Sequence, residues 1–182
     1  MLEKLENLSS SNNWNQELNI NVSTFPDYTD YNFSLFKKKT IPITGSRGCV
    51  RKCTFCDIHT HCKKFVFRSG KNIFNEMQHQ YHLHNINYFS FTDSLINGSM
   101  QAYRDLITEL SEYNKNAEIP FRWSSQFIAR SETQMNANDW LLTKQSGVKS
   151  LSIGVESLNE NIRNHMKKKF SNKDLFFVLE QA

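Results

Sequence analysis

Cysteine is scarce in this chain, with four residues among 182. A disulfide framework needs several paired cysteines along a short secreted chain, so this content argues against that class of protein. No apolar run is long enough to cross a membrane, and the N-terminus lacks the basic stretch and apolar core of a secretory signal. We therefore predict a cytoplasmic protein that does not partner a membrane.

A strong charge of one sign is also missing, because 22 basic residues stand against 18 acidic residues and the net charge is +4. This balance does not indicate a nucleic acid partner. The lysine runs 37–39 and 167–169 are interpreted as solvated faces. Hydrophobic residues form 38% of the chain, which supports a packed core and argues against wholesale disorder.

Two regions of the chain differ in pattern. Residues 1–39 are polar, rich in asparagine and without a clear period, which predicts an irregular N-terminal arm or linker. In residues 40–182, short apolar stretches alternate with helical repeats. The predicted strands are 40–44, 86–91, 121–129 and 149–155, and the predicted helices are 71–84, 100–113, 138–146 and one after Ser171. Ser99 is a predicted N-cap, and the pairs Ser157–Glu160 and Ser171–Asp174 have the spacing of capping boxes.

Four strand–helix units in series predict an α/β fold with a parallel sheet and right-handed crossovers. These units fill residues 40–182, whereas a closed eight-fold barrel needs roughly 250 residues. We therefore expect a partial (β/α) TIM-type barrel made of its first four strand–helix units. We also expect the natural protein to be longer than this chain. The fourth strand would form an unpaired edge.

Three of the four cysteines, Cys49, Cys53 and Cys56, fall within eight positions after the first predicted strand. Catalytic sites of parallel βα folds gather at the carboxyl ends of the strands. Three thiolates suit a soft metal centre. At a four-iron cubane they would leave one iron open to bind another ligand, which distinguishes a catalytic cluster from an electron carrier.

A zinc-stabilised binding module without catalysis is the alternative that the same cysteines leave open. His59, His61 or Cys62 would supply the fourth ligand. Three residues separate Cys49 from Cys53, whereas zinc-binding pairs are usually separated by two, and no second pair lies downstream. Metal content separates the two hypotheses, because a cluster contains iron and acid-labile sulfide.

The stretch "SRGCVRKCTFCDI" resembles the signature of the radical S-adenosylmethionine (SAM) superfamily. Its form is similar to that of members with a cobalamin-binding domain and of methylthiotransferases. Three further stretches, "FVFRSGKNIFNEM", "FSFTDSLING" and "LSIGVESLNENIRNHMKKKF", resemble later family segments in the same order. The resemblance therefore spans about residues 25–182, which gives it more weight than a single motif.

The resemblance implies that Cys49, Cys53 and Cys56 ligate a [4Fe–4S] cluster whose open iron binds SAM. Reductive cleavage of SAM would yield a 5′-deoxyadenosyl radical that abstracts a hydrogen from a substrate. An electron donor such as a flavodoxin or ferredoxin is implied as a partner. Cobalamin is compatible with this form of the motif, but no segment of this chain supports it. The substrate and the reaction outcome stay open.

The resemblance also implies contacts to SAM. Phe55, which precedes the third cysteine, would lie beside the adenine. Asp93, with Thr92 and Ser94, stands where the family places groups that contact the methionyl amine. The family commonly has two glycines and a glutamate there, and the alternative role for Asp93 is to order the strand–helix turn. Glu156 would accept from the ribose hydroxyls or contact the substrate.

Three further residues are weaker candidates. Ser157 follows Glu156, and its spacing to Glu160 favours an N-cap over a cofactor contact. Gln126 and Arg130 share one alternating face of the third predicted strand and are candidates for the barrel interior.

Overall fold

The computed structural model describes residues 19–22 and 24–182 and shows strands alternating with helices. The strands of this part are β1 Ile41–Ile43, β2 Ser46–Arg47, β3 Val66–Phe67, β4 Tyr88–Phe91, β5 Arg122–Phe127 and β6 Val148–Ile153. Its α-helices are α1 Ile58–His61, α2 Gly70–His84, α3 Met100–Asn116, α4 Ala137–Gln145, α5 Glu160–His165 and α6 Asn172–Gln181. No helix in these ranges is long and apolar enough to cross a membrane.

Four of the strands form a wholly parallel sheet in the order β1-β4-β5-β6. Each successive strand–helix unit adds its strand next to the previous one, as in a (β/α) barrel. This arrangement confirms the predicted α/β fold built from the first four units of a partial barrel. The last strand, β6, lies at an edge of the sheet as predicted. Because all four strands run in one direction, the loops that follow them meet at the same end of the sheet, where the strands have their carboxyl ends.

A short antiparallel pair, β2 with β3, is a feature that the sequence pattern does not predict. It places Ser46 opposite Phe67 and Arg47 opposite Val66. Each strand has only two residues, which is too short for alternation to register as a pattern. The pair closes the loop 48–65, and this loop carries all four cysteines of the chain.

The hydrophobic core lies between the sheet and the helices α2, α3 and α4. Trp123 of β5 is fully buried and packs edge-on against Phe91 of β4 and Tyr103 of α3. Such aromatic pairs stabilise a core beyond the apolar area that they bury. Gly70 starts α2 close to α3, where an added Cβ atom would come 2.2 Å from the backbone nitrogen of Leu106. Glycine is therefore required for the close approach of these two helices.

Residues 24–36 of the predicted arm run along α2 toward β1. Tyr28 and Phe33 both pack against the ring of His84, and the Tyr28 hydroxyl donates to the carbonyl of Pro42 at 3.3 Å. The described part of the arm contains only short 3₁₀ turns at Ile20–Val22 and Phe33–Leu35. Residues 1–18 and 23 lie outside the described residues, and the division into an arm 1–39 and a core 40–182 stays a prediction.

Two of the predicted helix caps are confirmed. The hydroxyl of Ser99 accepts from the backbone N–H of Ala102 at the start of α3. Ser171 and Asp174 form a complete capping box at the start of α6. Both cases follow the rule that a short polar side chain satisfies the free N–H groups of the first turn.

The predicted capping box of Ser157 with Glu160 is wrong. Helix α5 begins at Glu160 itself, and its N-cap is Asn159, whose side chain accepts from the N–H groups of Asn161 and Ile162. The Ser157 hydroxyl instead accepts from the N–H of Asn159 at 3.1 Å. Asparagine caps helices as well as serine does, so the serine spacing was not decisive.

Asp139 caps the start of α4 and binds Arg104 of α3, so its removal should destabilise the protein. Its carboxylate accepts from Nε and Nη2 of Arg104 at 2.8 and 2.9 Å and from the N–H of Asn136 at 3.0 Å. The Asp139→Ala variant should lose about 2–3 kcal/mol of unfolding free energy, because a helix cap and charge-assisted hydrogen bonds disappear together. Urea unfolding at neutral pH measures this loss.

Glu112→Ala is the matched control, because Glu112 bonds Lys115 on the exposed surface and should contribute under about 0.5 kcal/mol. The hydrogen bond from Arg104 is the main cause that lowers the pKa of Asp139. The contribution of Asp139 to the free energy of unfolding is therefore present above its unfolded-state pKa and is lost as pH falls through its folded-state pKa. The gap between wild type and Asp139→Ala should narrow in acid, and an undiminished gap there would contradict this origin.

Candidate functional site

The cysteine loop lies at the carboxyl end of β1, on the side of the sheet where active sites of parallel βα folds gather. Cys53 is buried, and Cys49 and Cys56 are half-buried. The N–H of Cys56 donates to the carbonyl of Cys53 at 3.1 Å, which turns the chain between them. The N–H of Thr54 donates to the carbonyl of Met166 at 3.1 Å and ties the loop to the segment after α5.

The three clustered cysteines line one cavity of about 190 Å³. Its walls come from the cysteine loop and from the segments at the carboxyl ends of β4, β5 and β6. Besides the cysteines, its polar and aromatic lining includes Phe55, Ser94, Gln126, Glu156 and Lys168. Cys62 is half-buried and does not line this cavity. The structure therefore brings together the cysteines and four other residues that the sequence singled out.

The surroundings of the Cys53 thiol shift its pKa in opposite directions. Burial is the main cause that raises the pKa of the Cys53 thiol, and the neighbouring Cys49 and Cys56 raise it further. Lys168 and Arg51 oppose this effect. Cations close to a group of thiolates stabilise their charged form, which is the form that binds metal.

Three thiolates on one cavity are the kind of donor set that an iron–sulfur cluster uses. In the described ranges, no group of three or more His, Cys, Asp or Glu side chains is placed to hold one metal ion. Sulfurs that share a zinc ion must come within about 3.8 Å of one another, given the Zn–S bond length. A four-iron cluster binds each thiolate at a different iron, so its cysteines stand farther apart. The zinc hypothesis therefore gains no support from this part of the chain.

Lys168 is a site residue that the sequence analysis missed. Its ammonium donates to Glu156 Oε1 at 2.6 Å and lies 5.3 Å from the ring centre of Phe55. The charge pattern predicts a solvated face for the lysine run 167–169, and Lys168 departs from this prediction because its side chain is only 16% exposed. Charge pattern cannot reveal this, because burial depends on the turn that folds Lys168 back onto β6.

The backbone around this pair is unusual. Glu156, Lys167 and Lys169 all have positive φ, at 61°, 57° and 48°. At Gly154, an added Cβ atom would lie 2.9 Å from both Lys168 Nζ and Glu156 Oε1. The small residue after β6 therefore leaves the space in which the ion pair sits.

Two predicted cofactor contacts, Asp93 and Ser157, do not line the cavity. Asp93 is 3% exposed and its carboxylate accepts from the N–H of Gly45 at 2.8 Å and from the hydroxyl of Ser46. Burial is the main cause that raises the pKa of Asp93, and these hydrogen bonds oppose it. Ser157 bonds the turn before α5. That either residue contacts a cofactor stays a prediction.

Gln126 and Arg130, the two candidates on the third predicted strand, are placed differently. Gln126 lines the cavity. Arg130 lies beyond the end of β5, where Nη2 donates to the carbonyls of Asn97 and Gly98 at 2.8 and 2.9 Å. Arg130 therefore holds the loop between β4 and α3.

A comparison with protein families finds a match to the profile described as "Radical SAM superfamily" over residues 43–182. Among curated proteins, bacteriochlorophyllide d C-12(1)-methyltransferase of Chlorobaculum tepidum is 31% identical over 135 residues. The match covers 70% of this chain and 27% of that protein. The chain thus spans about a quarter of the length of this curated relative.

Solved structures show the same fold at low identity. The radical SAM methyltransferase TsrM of Kitasatospora setae, with tryptophan substrate and a SAM analogue bound, superposes with a TM-score of 0.66 at 14% identity. This likeness covers 78% of the present chain and 28% of TsrM. The cobalamin-dependent SAM radical enzyme OxsB, with aqua-cobalamin and SAM bound, gives a TM-score of 0.63 at 18% identity over 78% of this chain and 22% of OxsB.

The unequal burial of the thiols predicts unequal reactivity. In the metal-free protein, iodoacetamide should alkylate Cys53 about tenfold more slowly than Cys56, because a thiol with a raised pKa and little exposure presents less thiolate. Tandem mass spectrometry of the digested protein measures both rates. The urea-unfolded chain is the control and should show equal rates. Equal rates in the folded protein would contradict the placement of Cys53.

Proposed function

The chain belongs to the radical SAM superfamily, a family of enzymes that use a [4Fe–4S] cluster and SAM, and we propose that it forms the cofactor-binding part of such an enzyme. Cys49, Cys53 and Cys56 would ligate the cluster, and the cavity beside them would receive SAM. The observation that carries this proposal is that all three cysteines line one cavity with residues from the ends of β4, β5 and β6. Soft thiolate ligands at this edge of a parallel sheet suit an iron–sulfur centre.

The bound cofactors would supply reductive cleavage of SAM to a 5′-deoxyadenosyl radical, which abstracts a hydrogen from the substrate. The protein contributes binding, orientation and exclusion of water. The N–H of Arg51 donates to Cys49 Sγ at 3.4 Å. Hydrogen bonds to ligand sulfurs tune the potential of a cluster.

Three lining residues would orient SAM. Phe55 is 56% exposed at the cavity, and this exposed ring would stack on an adenine. Ser94 offers a hydroxyl at the end of β4, and Glu156 offers a carboxylate at the end of β6. A carboxylate accepts well from the vicinal hydroxyls of a ribose.

The activity of the whole protein is proposed from the relatives that this chain resembles. Methyl transfer is the first reaction to assay, because the curated relative and TsrM are named as methyltransferases. OxsB is described as cobalamin-dependent, whereas no described residue of this chain identifies a cobalamin site. A flavodoxin or ferredoxin would supply the electron. The proposal places the protein in the cytoplasm, where thiols stay reduced.

Anaerobic reconstitution with iron and sulfide tests the proposal directly. After reduction, the electron paramagnetic resonance spectrum should show a [4Fe–4S]⁺ signal that changes when SAM is added. The change would report that SAM binds at the open iron. A protein that takes up one zinc and no iron or sulfide would overturn the proposal in favour of the binding module.

Cysteine variants should separate the ligands from the spare thiol. Cys49→Ala, Cys53→Ala and Cys56→Ala should each lose most of the bound iron and sulfide, because a cluster with two thiolate ligands is poorly held. Cys62→Ala is the matched control and should keep the wild-type content, since Cys62 lies outside the cavity. Iron and sulfide analysis of each reconstituted variant gives the result. Loss of the cluster in Cys62→Ala would contradict this assignment.

Glu156→Gln should weaken SAM binding about tenfold while the cluster content stays unchanged, because one hydrogen-bonding charge is removed from the cavity. Glu180→Gln makes the same chemical change on the exposed face of α6 and should have no effect. Equilibrium dialysis of SAM against both reconstituted variants measures the affinity. The role of Glu156 would be refuted by equal affinities.

A further inference from the structure

The first stem of the cysteine loop, residues 44–47, is fixed by a buried carboxylate. Asp93 follows β4 and uses both of its oxygens on this stem, one for the N–H of Gly45 and the other for the hydroxyl of Ser46. Asp93 is 3% exposed and Ser46 is 7% exposed, so water cannot readily replace these bonds. Cys49 follows three residues after Ser46.

The second stem, residues 66–68, is fixed by a buried guanidinium. The backbone N–H of Arg68 donates to the carbonyl of Gly45 at 2.8 Å, and its Nη1 donates to the carbonyl of Thr44 at 2.9 Å. Glu76 of α2 pairs with the same nitrogen and is 1% exposed. Both stems therefore meet at residues 44–46, between two buried charged side chains.

Gly45 leaves the space that this arrangement needs. An added Cβ atom would lie 2.9 Å from Ile73 Cδ1 and 3.2 Å from Asp93 Oδ1. A larger residue would push the carboxylate away from the stem. The carboxylate of Asp93 thus sits directly against the backbone that leads to the cysteines.

From this geometry we infer that Asp93 is a positioning residue for the iron–sulfur site, which holds the first stem so that Cys49 stays on the cavity. The inference rests on the proposed function, because it assumes that the cysteines bind a cluster. Asp93 acts through Gly45 and Ser46 and does not itself line the cavity. Mutation of the groups that orient metal ligands typically lowers metal affinity about 10–100-fold.

Three variants of the full chain test this role through cluster retention. After reconstitution, Asp93→Ala should lose its cluster to a chelator about tenfold faster than wild type, the usual scale for loss of an orienting group. Ser46→Ala should change retention in the same direction by less, since it removes one of the two bonds. Asp93→Asn should restore retention, because an amide can accept from the Gly45 N–H and donate to the Ser46 hydroxyl.

Asp139→Asn is the matched control, because it alters a buried carboxylate that contacts α3 and not the cysteine loop. It should retain the cluster at the wild-type rate even where it lowers stability. Wild-type retention in both Asp93→Ala and Ser46→Ala would overturn the inference. If Asp93→Ala does not fold, Ser46→Ala and Asp93→Asn still decide, because faster loss is required of the first and near wild-type retention of the second.

SAM affinity separates positioning from direct contact. If Asp93 contacted the methionyl ammonium through its charge, Asp93→Asn would bind SAM weakly with an intact cluster, and Ser46→Ala would bind it normally. That pair of results would overturn the inference. Positioning instead predicts near wild-type SAM affinity in Asp93→Asn.

Hydrogen exchange of the cluster-free protein gives a readout that does not depend on the proposed function. Amides of residues 44–50 should exchange faster in Asp93→Ala than in wild type, while α3 and α4 keep their protection. Failure of wild type to take up a cluster would count against the proposed function alone. Unchanged exchange at residues 44–50 would count against the positioning role.

Discussion

The buried ion pair of Arg68 with Glu76 is the interaction on which the site depends. Arg68 is bound to Glu76, to Asn72 at 2.6 Å through Nε, and to the carbonyl of Thr44 at 2.9 Å. Helix α2, the end of β1 and the return from the cysteine loop are therefore held at one point. Removing one partner of such a pair leaves an unpaired buried charge, which costs about 3–5 kcal/mol. The loop that carries the clustered cysteines needs an anchor of this kind, because its own residues bury little apolar surface.

The two edges of the sheet differ in whether a further strand can pair with them. At β1, the carbonyl of Pro42 accepts from the Tyr28 hydroxyl, and proline has no N–H to offer to another strand. At β6, the residues are half-buried or exposed, and the sheet has no further strand in the described ranges. Leu158, Ile162, Phe176 and Leu179 add exposed apolar area after this strand. The sheet is therefore open to extension at β6 and blocked at β1.

The sequence predicted what depends on local pattern and missed what depends on tertiary contact. Helix α2, the four parallel strands and the caps at Ser99 and Ser171 follow from periodicity and from short-range hydrogen bonding. The placement of Asp93 against Gly45 and the burial of Lys168 depend on residues 48 and 12 positions apart in the chain. No pattern within one segment encodes such distances. The cysteine spacing stood out because thiol ligands for one centre can lie close together in sequence.

The segment after β6 shows how the structure holds a strained backbone next to the cavity. Among the residues that the structure describes, three of the four non-glycine residues with positive φ lie between positions 156 and 169. Such conformations cost about 1–3 kcal/mol each and persist only where the surroundings determine them. Arg163 supplies this constraint, because it is fully buried and donates to the carbonyls of Ser157 and Phe170. The turn that folds Lys168 onto Glu156 is therefore fixed by the fold before any cofactor binds. Folding already supplies the free energy that holds this wall of the cavity in its strained conformation, so cofactor binding does not have to supply it.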